Sequence, residues 1–251
     1  MNNKKARMTL FFPINTMSKL FCSCPNSAAA LKSICPICQD MPGAMPLINK
    51  HALNIAIAAG CMLKVRFNAS SFERKPVFYE DRLLEYILTQ ENAPLGTAGC
   101  LRINNNEIKI NKIYLEEETG LQNCQINYNR RGRPLLAIET GTELDKPETA
   151  YAAYELLQTR FEKKELLKSG RKVIASIHFI NGAEITGIKI NQLEHAFIWG
   201  ETAKKARYFW PDGAVKKAGI PGGKIFYPNA NLCSIHVDPE WIRRVRMEFG
   251  V

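Results

Sequence analysis

Apolar positions change their period several times along the chain, and each change predicts an element. Leu47, Ile48, Ala52, Ile55, Ala56 and Ala59 recur at helical spacing, which predicts a short buried helix over 46–60 with Gly60 as its stop. Over 101–115 the period falls to two. LRI, a turn at Asn104, Asn105 and Asn106, and EIKINKIYL read as a hairpin. LLAI at 135–138 is a further strand. Asp145 as an acidic cap, Pro147 in the first turn and Glu148 open a helix along which Ala150, Tyr154, Leu157 and Phe161 recur. KVIASIHFI and AEITGIKI flank Asn181-Gly182, the strongest hairpin signal in the chain. Residues 193–209 read as partly helical, with Gly200 weakening the pattern, and 213–231, rich in Gly, Pro, Lys and Asn, read as an exposed loop. Asp238-Pro239 opens a terminal helix. Strands outnumber helices and come in hairpins, so an α+β fold with a mainly antiparallel sheet and flanking helices is expected.

Composition narrows the class. The 251 residues are 46% hydrophobic and 23% charged, which excludes a mostly disordered chain and allows one large or two modest domains. No apolar run reaches the roughly 18 residues a membrane-spanning helix needs. Lys4, Lys5 and Arg7 before MTLFF resemble the start of a secretory signal, but Pro13 and Asn15 end the run and no small-residue cleavage pattern follows. A cytoplasmic protein with no membrane contact is expected. The net charge is +10, and residues 160–251 hold 16 Lys and Arg against 9 Asp and Glu. That excess gathers at Lys204, Lys205 and Arg207, at Lys216, Lys217 and Lys224, and at Arg243, Arg244 and Arg246. Interleaved with Tyr208, Phe209, Trp210 and Tyr227, these residues could pair phosphates and stack bases of an RNA. The alternative is a solvated basic face with its aromatics in the core.

Candidate chemistry begins with cysteine. Four of the eight, Cys22, Cys24, Cys35 and Cys38, form C-x-C, ten intervening residues, then C-x2-C. Two close pairs can each wrap one side of a metal ion, and four thiolates with no open position suit a structural zinc. Two disulfides or merely buried thiols are the alternatives, of which disulfides fit poorly without a secretory signal. Cys61, Cys100, Cys124 and Cys233 read as small core hydrophobes. Glu116, Glu117 and Glu118 are either ligands or a solvated hairpin end, and strand geometry lets at most two converge. Arg130, Arg131 and Arg133 read as an anion-binding strip, while Arg74 and Lys75 in SFERK read as ordinary surface charge unless a family segment accounts for them. GIPGGK at 219–224 lacks the spacing of a phosphate loop and is assigned no nucleotide role.

The stretch MSKLFCSCPNS…ICPICQDMPGAMPLINKHALNIAIAAG resembles the B subunit of bacterial tRNA-dependent amidotransferases. The likeness continues through SSFERKPVFYEDRLLEYILTQ, IYLEEETG and YNRRGRPLLAIET, then GIKINQL, ARYFWPD and DPEWIRRV. The resemblance implies a single cradle-like domain over 1–251 with a zinc knuckle at 20–45, without counterparts of the family's helical and tail domains. It also implies binding of ATP, magnesium and the tRNA acceptor end, phosphorylation of a tRNA-bound carboxylate, and ammonia from a separate amidase subunit. Asn129 and Arg130 keep the family's Asn-Arg and imply a phosphate or nucleotide contact; Glu116 and Glu117 would be remnant magnesium-site acids. The family's Glu-x-His falls on Thr9 and Phe11, its His-Leu-Glu-Glu-Asp on residues 114–118 with Tyr114 for the imidazole, and a further Glu on Ala137. A later acidic stretch aligns with Lys172, Ile174 and Ser176. Two functions follow. One is a binding module for tRNA, aminoacyl-tRNA or an amidase-like subunit, with the phosphorylation lost or altered; the other is an amidotransferase or ligase acting on a different carboxyl substrate.

Overall fold

The computed structural model describes residues 5–27, 34–79, 82–103, 106–122, 125–144, 146–209, 216–218, 226–229 and 232–251. The first half runs β1 (Ala6–Pro13), α1 (Lys50–Met62), β2 (Arg66–Phe67), β3 (Glu73–Tyr79), β4 (Arg82–Thr89), β5 (Gly96–Ile103) and β6 (Asn106–Glu117). After it come β7 (Leu121–Gln122), β8 (Gln125–Ile126), β9 (Pro134–Thr140), α2 (Pro147–Glu162), β10 (Ile174–Phe179) and β11 (Glu184–Lys189). Helix α3 (Leu193–Thr202), β12 (Arg207–Phe209), β13 (Lys216–Ala218), β14 (Tyr227–Pro228) and α4 (Pro239–Phe249) complete the order.

A large sheet runs β13-β12-β11-β10-β1-β9-β6-β4-β3-β14, with β5 paired to β6 and β2 to β5; β7 and β8 form a separate ribbon. Pairing is antiparallel except between β11 and β12, where the chain crosses over through α3 and returns parallel. Registers across the centre make the sheet's two faces explicit. Leu115, Leu136 and Phe12 form one row, and Ile113, Ile138, Leu10 and Ala175 the next; all are fully buried. Phe12 meets Phe161 of α2 edge-on, with ring centroids 5.4 Å apart, so this face carries the core. The alternate rows face the other way, as the two-residue side-chain period requires.

Most predicted elements form, with shifted ends. The helix expected over 46–60 starts at Lys50, because the Asn49 side chain accepts the Ala52 N–H at 3.2 Å, while the Leu47 N–H donates to Phe21 O in an extended entry. It runs through Gly60 rather than stopping there. A Cβ at Gly60 would lie 2.8 Å from the Phe67 ring, so that glycine serves close packing. The hairpin over 101–115 is β5–β6, longer at both ends, and its Asn104 and Asn105 lie outside the described residues. Helix α2 is preceded at its cap by Lys146, with no side-chain capping bond, and Asp145 is outside the described residues. In the β10–β11 turn, Asn181 Oδ1 accepts the Ala183 N–H at 2.9 Å. The segment 213–231 is not simply a loop: β13 extends the sheet beyond β12, and β14 pairs with β3. Helix α4 is capped as expected, with Asp238 Oδ1 accepting the Trp241 N–H at 2.8 Å. Of the scattered cysteines, Cys61 and Cys100 are half-buried and Cys233 is exposed, so none is a fully buried core residue; Cys124 is outside the described residues. No helix among the described residues is long and apolar enough to cross a membrane.

Candidate functional site

Four cysteine sulfurs, from Cys22, Cys24, Cys35 and Cys38, lie within 4.8 Å of one another. A zinc tetrahedron with bonds of about 2.3 Å puts its sulfurs about 3.8 Å apart, so the donor set and spacing fit that ion. The first pair sits just beyond β1; the second sits in a turn whose backbone N–H at Cys38 points 3.4 Å from Cys35 Sγ. Cys22 and Cys38 sulfurs are 3.5 Å apart and share a hydrogen bond. That bond from Cys22, helped by Lys19, holds Cys38 down to about 5 despite burial; the same bond and burial push Cys22 far up. Lys19, fully buried, donates to Cys38 Sγ at 3.2 Å and to Tyr128 O at 2.7 Å. Its ammonium offsets negative thiolate charge and ties the knuckle to the loop before β9.

The positions aligned with magnesium-site groups converge in space. Tyr114, Ala137, Phe11 and Ile174 form one cross-strand row over β6, β9, β1 and β10; Lys112, Glu139, Thr9 and Ser176 form the next. Both rows face away from the core helix α2. Tyr114 is buried, and burial followed by the charges of Glu116, Glu91, Glu139 and Glu184 pushes its phenol well up. Acids therefore do gather here, but each of the inner three meets a cation of the chain itself. Lys75 Nζ is 2.9 Å from both Glu116 and Glu91, and the Thr89 hydroxyl donates to Glu116 at 2.8 Å. Glu139 lies 3.6 Å from Arg7 and 3.9 Å from Lys112. Among the described residues, the cysteine cluster is the one group of three or more metal-ligand side chains. With its carboxylates held by ammonium and guanidinium groups and an apolar row beside them, this face does not fit magnesium. Sequence reasoning missed Glu91, Glu139, Lys112 and Arg7, because strand register alone brings them together.

The acidic triplet and the arginine strip both divide. Glu116 faces Lys75. Glu118, on the same side, is held by Arg130, whose Nε donates to Oε1 at 2.7 Å, and by Arg171. Glu117 turns to the opposite face, where the Leu88 N–H donates to it at 2.8 Å, so of the three acids Glu116 and Glu118 share a side, as the strand period requires. Burial pushes Glu117 up to about 7, and it raises Glu85 likewise, to about 7, against the pull of Arg131. Arg131 is a buried strut rather than an anion binder. Its Nε pairs with Glu85 at 2.9 Å, Nη1 donates to Cys38 O at 2.7 Å and Nη2 to Tyr86 O at 2.9 Å. Arg74 lies 3.7 Å from Asp40. Asn129 sits in a turn where its N–H donates to Asn127 Oδ1 at 3.0 Å, adjoining Arg130.

The basic C-terminal residues form two patches rather than one. Lys204 and Lys205 are exposed, and β12–β13 pairing sets Lys217 opposite Tyr208 and Lys216 opposite Phe209, with Arg207 opposite Ala218. Tyr208 is no open platform, since it packs edge-on against Trp199 at 4.5 Å. Trp210 and Lys224 lie outside the described residues. Arg243, Arg244 and Arg246 are exposed on α4, which packs on α1, where the Trp241 indole N–H donates to Asn54 Oδ1 at 2.8 Å. Helix α1 contacts β6, five strands along the sheet from β12.

Residues 10–171 match the family model described as the GatB/GatE catalytic domain. The cysteine knuckle, Arg130, Phe11 and the β6 and β9 members of both sheet rows fall within the match; Thr9, Ile174, Ser176, GIKINQL, ARYFWPD and DPEWIRRV fall outside it. The B subunit of the aspartyl/glutamyl-tRNA(Asn/Gln) amidotransferase from Finegoldia magna is 34% identical over 166 residues, covering 61% of this chain and 35% of that relative. The B subunit of that enzyme from Methanospirillum hungatei is 32% identical over 182 residues, covering 63% and 37%. The one from Campylobacter jejuni is 36% identical over 158 residues, covering 58% and 34%. The chain thus spans about a third of the length of these relatives.

Proposed function

This chain belongs to the GatB/GatE catalytic-domain family, and from that premise we propose that it is a B-subunit-like module that binds tRNA or aminoacyl-tRNA and does not carry out magnesium-dependent phosphorylation. The sheet face carries this reading. Tyr114, Ala137, Phe11 and Ile174 stand in a continuous row, and Lys75 occupies the space between Glu91 and Glu116 that a divalent cation would need. Positive charge that is built into the chain cannot bridge ATP phosphates and withdraw with the product, as a labile cation does. Loss of several members of one catalytic unit is not compensated by those that remain.

Zinc at the four cysteines serves structure in this reading, with no position left open for substrate. RNA contact is supported by the exposed Lys204 and Lys205 before β12 and by the tRNA named in the relatives' descriptions. Fluorescence-anisotropy titration with labelled unacylated tRNA tests it. Binding should weaken steeply as salt rises, because neutralised phosphates release counterions. Absence of binding at low salt rejects the RNA reading and leaves a protein partner, such as an amidase subunit, as the ligand class to pursue.

A further inference from the structure

Three arginines converge at the end of the sheet face where the knuckle loop meets β6 and β9. Arg130 and Arg171 grip opposite oxygens of Glu118, and Arg133 donates to Ser27 O of the knuckle loop. Arg171 also donates through Nη1 to Asn26 Oδ1 at 3.2 Å. The Glu118 side chain is 8% exposed and is the carboxylate that Arg130 and Arg171 share, and its charge also acts on Arg133. Three positive charges against one negative leave a surplus of two in a half-closed space.

That surplus has consequences for each group. Arg133 is 6% exposed, and its Nε is buried with no hydrogen-bond partner among the described residues. A buried guanidinium donor left unmade is costly, and natural structures rarely tolerate it without a ligand or water. Burial pulls Arg171 down, Glu118 opposes it, and Arg133 and Arg130 pull it further; on Arg133, burial lowers, Glu118 raises and Arg130 lowers in turn. Like charges crowded away from water favour an added anion. Access exists through Arg130, whose side chain is 35% exposed, and through Arg171 at 17%. Planar guanidinium forks match the oxygens of a phosphate.

We infer that Arg130, Arg133 and Arg171 form a binding site for a phosphate group, with Glu118 as an internal counter-anion that aligns the guanidinium forks and competes with the ligand. The site goes beyond the RNA reading and stands without it, since a free phosphate, a nucleotide or an RNA backbone supplies the same chemistry. Arg131, although adjacent in sequence, takes no part, because its donors are used on Glu85, Cys38 O and Tyr86 O.

Isothermal titration of the zinc-loaded full chain with inorganic phosphate, without magnesium, tests the site. Phosphate should bind, and Arg171→Ala should weaken it at least tenfold. Glu118→Gln should strengthen it severalfold, since the amide keeps the shape and removes the competing charge. A purely structural arginine cluster gives the opposite for Glu118→Gln, with lower stability and no gain in affinity. Thermal melts of each variant show which still fold. Should Arg171→Ala fail to fold, Arg130→Gln, at the more exposed position, replaces it with the same expected loss. ADP and a short acceptor-stem RNA, competed against phosphate, distinguish nucleotide from RNA as its source. No phosphate binding by the folded wild-type chain, or equal binding by wild type, Arg171→Ala or its replacement, and Glu118→Gln, overturns the proposal.

Discussion

Lys75 and Glu117 hold the same acidic strand end by contrasting means. Burial alone would pull Lys75 down, but Glu116 and Glu91 outweigh it and raise it, so the ammonium stays charged. Replacing it by methionine leaves two buried carboxylates without a counter-charge, and breaking such a pair costs about 3–5 kcal/mol. Lys75→Met should therefore lower the urea midpoint substantially at pH 7 and much less near pH 4, where the carboxylates protonate. Glu117 and Glu85 behave oppositely. Their folded values stand at about 7 against an ordinary 4.5, so the fold binds protons that the unfolded chain has released between those values. Their stabilising contribution is full below about 4.5 and is lost as pH rises through about 7, on the order of several kcal/mol for the pair. Glu117→Gln, which keeps an acceptor for the Leu88 N–H, should flatten the fall in stability measured from pH 5 to 8 on zinc-loaded protein. An unchanged slope would show that Glu117 is already ionised across that range.

Among the elements, the knuckle depends most on its ligand. Its described residues between Cys22 and Ala44 contribute little to the core, and their ties to the sheet include Lys19 to Cys38, Arg131 to Cys38 O and Arg133 to Ser27 O. Structural zinc supplies on the order of 10 kcal/mol of apparent binding free energy, so its removal should release this lobe before the sheet. Elemental analysis should find about one zinc per chain, and chelation should raise hydrogen exchange across 20–45 while β1, β9 and β10 stay protected. Less than half an equivalent with four reactive thiols would exclude the metal. These cysteines were legible because ligand spacing is local, as were α2, α4 and both hairpins, where period and turn chemistry agree. The edge strands β13 and β14 were not, since three- and two-residue strands carry no period and form only by pairing with β12 and β3. Nor was the division of Glu116, Glu117 and Glu118 among three sets of partners, because Lys75, Leu88 and Arg171 are remote in sequence.

At the scale of the whole molecule, the proposed RNA contact rests on charge and on family by separate routes. The family match covers 10–171, while Lys204, Lys205 and the arginines of α4 lie beyond it. Changing Lys204 and Lys205 to Glu should weaken tRNA binding several-fold and reduce its salt slope by roughly one per lost contact, with melting unchanged because both residues are exposed. Equal binding by the double variant would remove that edge from the interface. The central claim is that the fold is kept while chain-borne cations and an apolar row stand where a magnesium site would be. Its most direct test is incubation of zinc-loaded protein with ATP, magnesium, Glu-tRNA and an ammonia source, followed by analysis of the amino acid on the tRNA. The account predicts no magnesium-dependent Gln-tRNA above background; robust formation of Gln-tRNA, abolished by omitting magnesium, would contradict it.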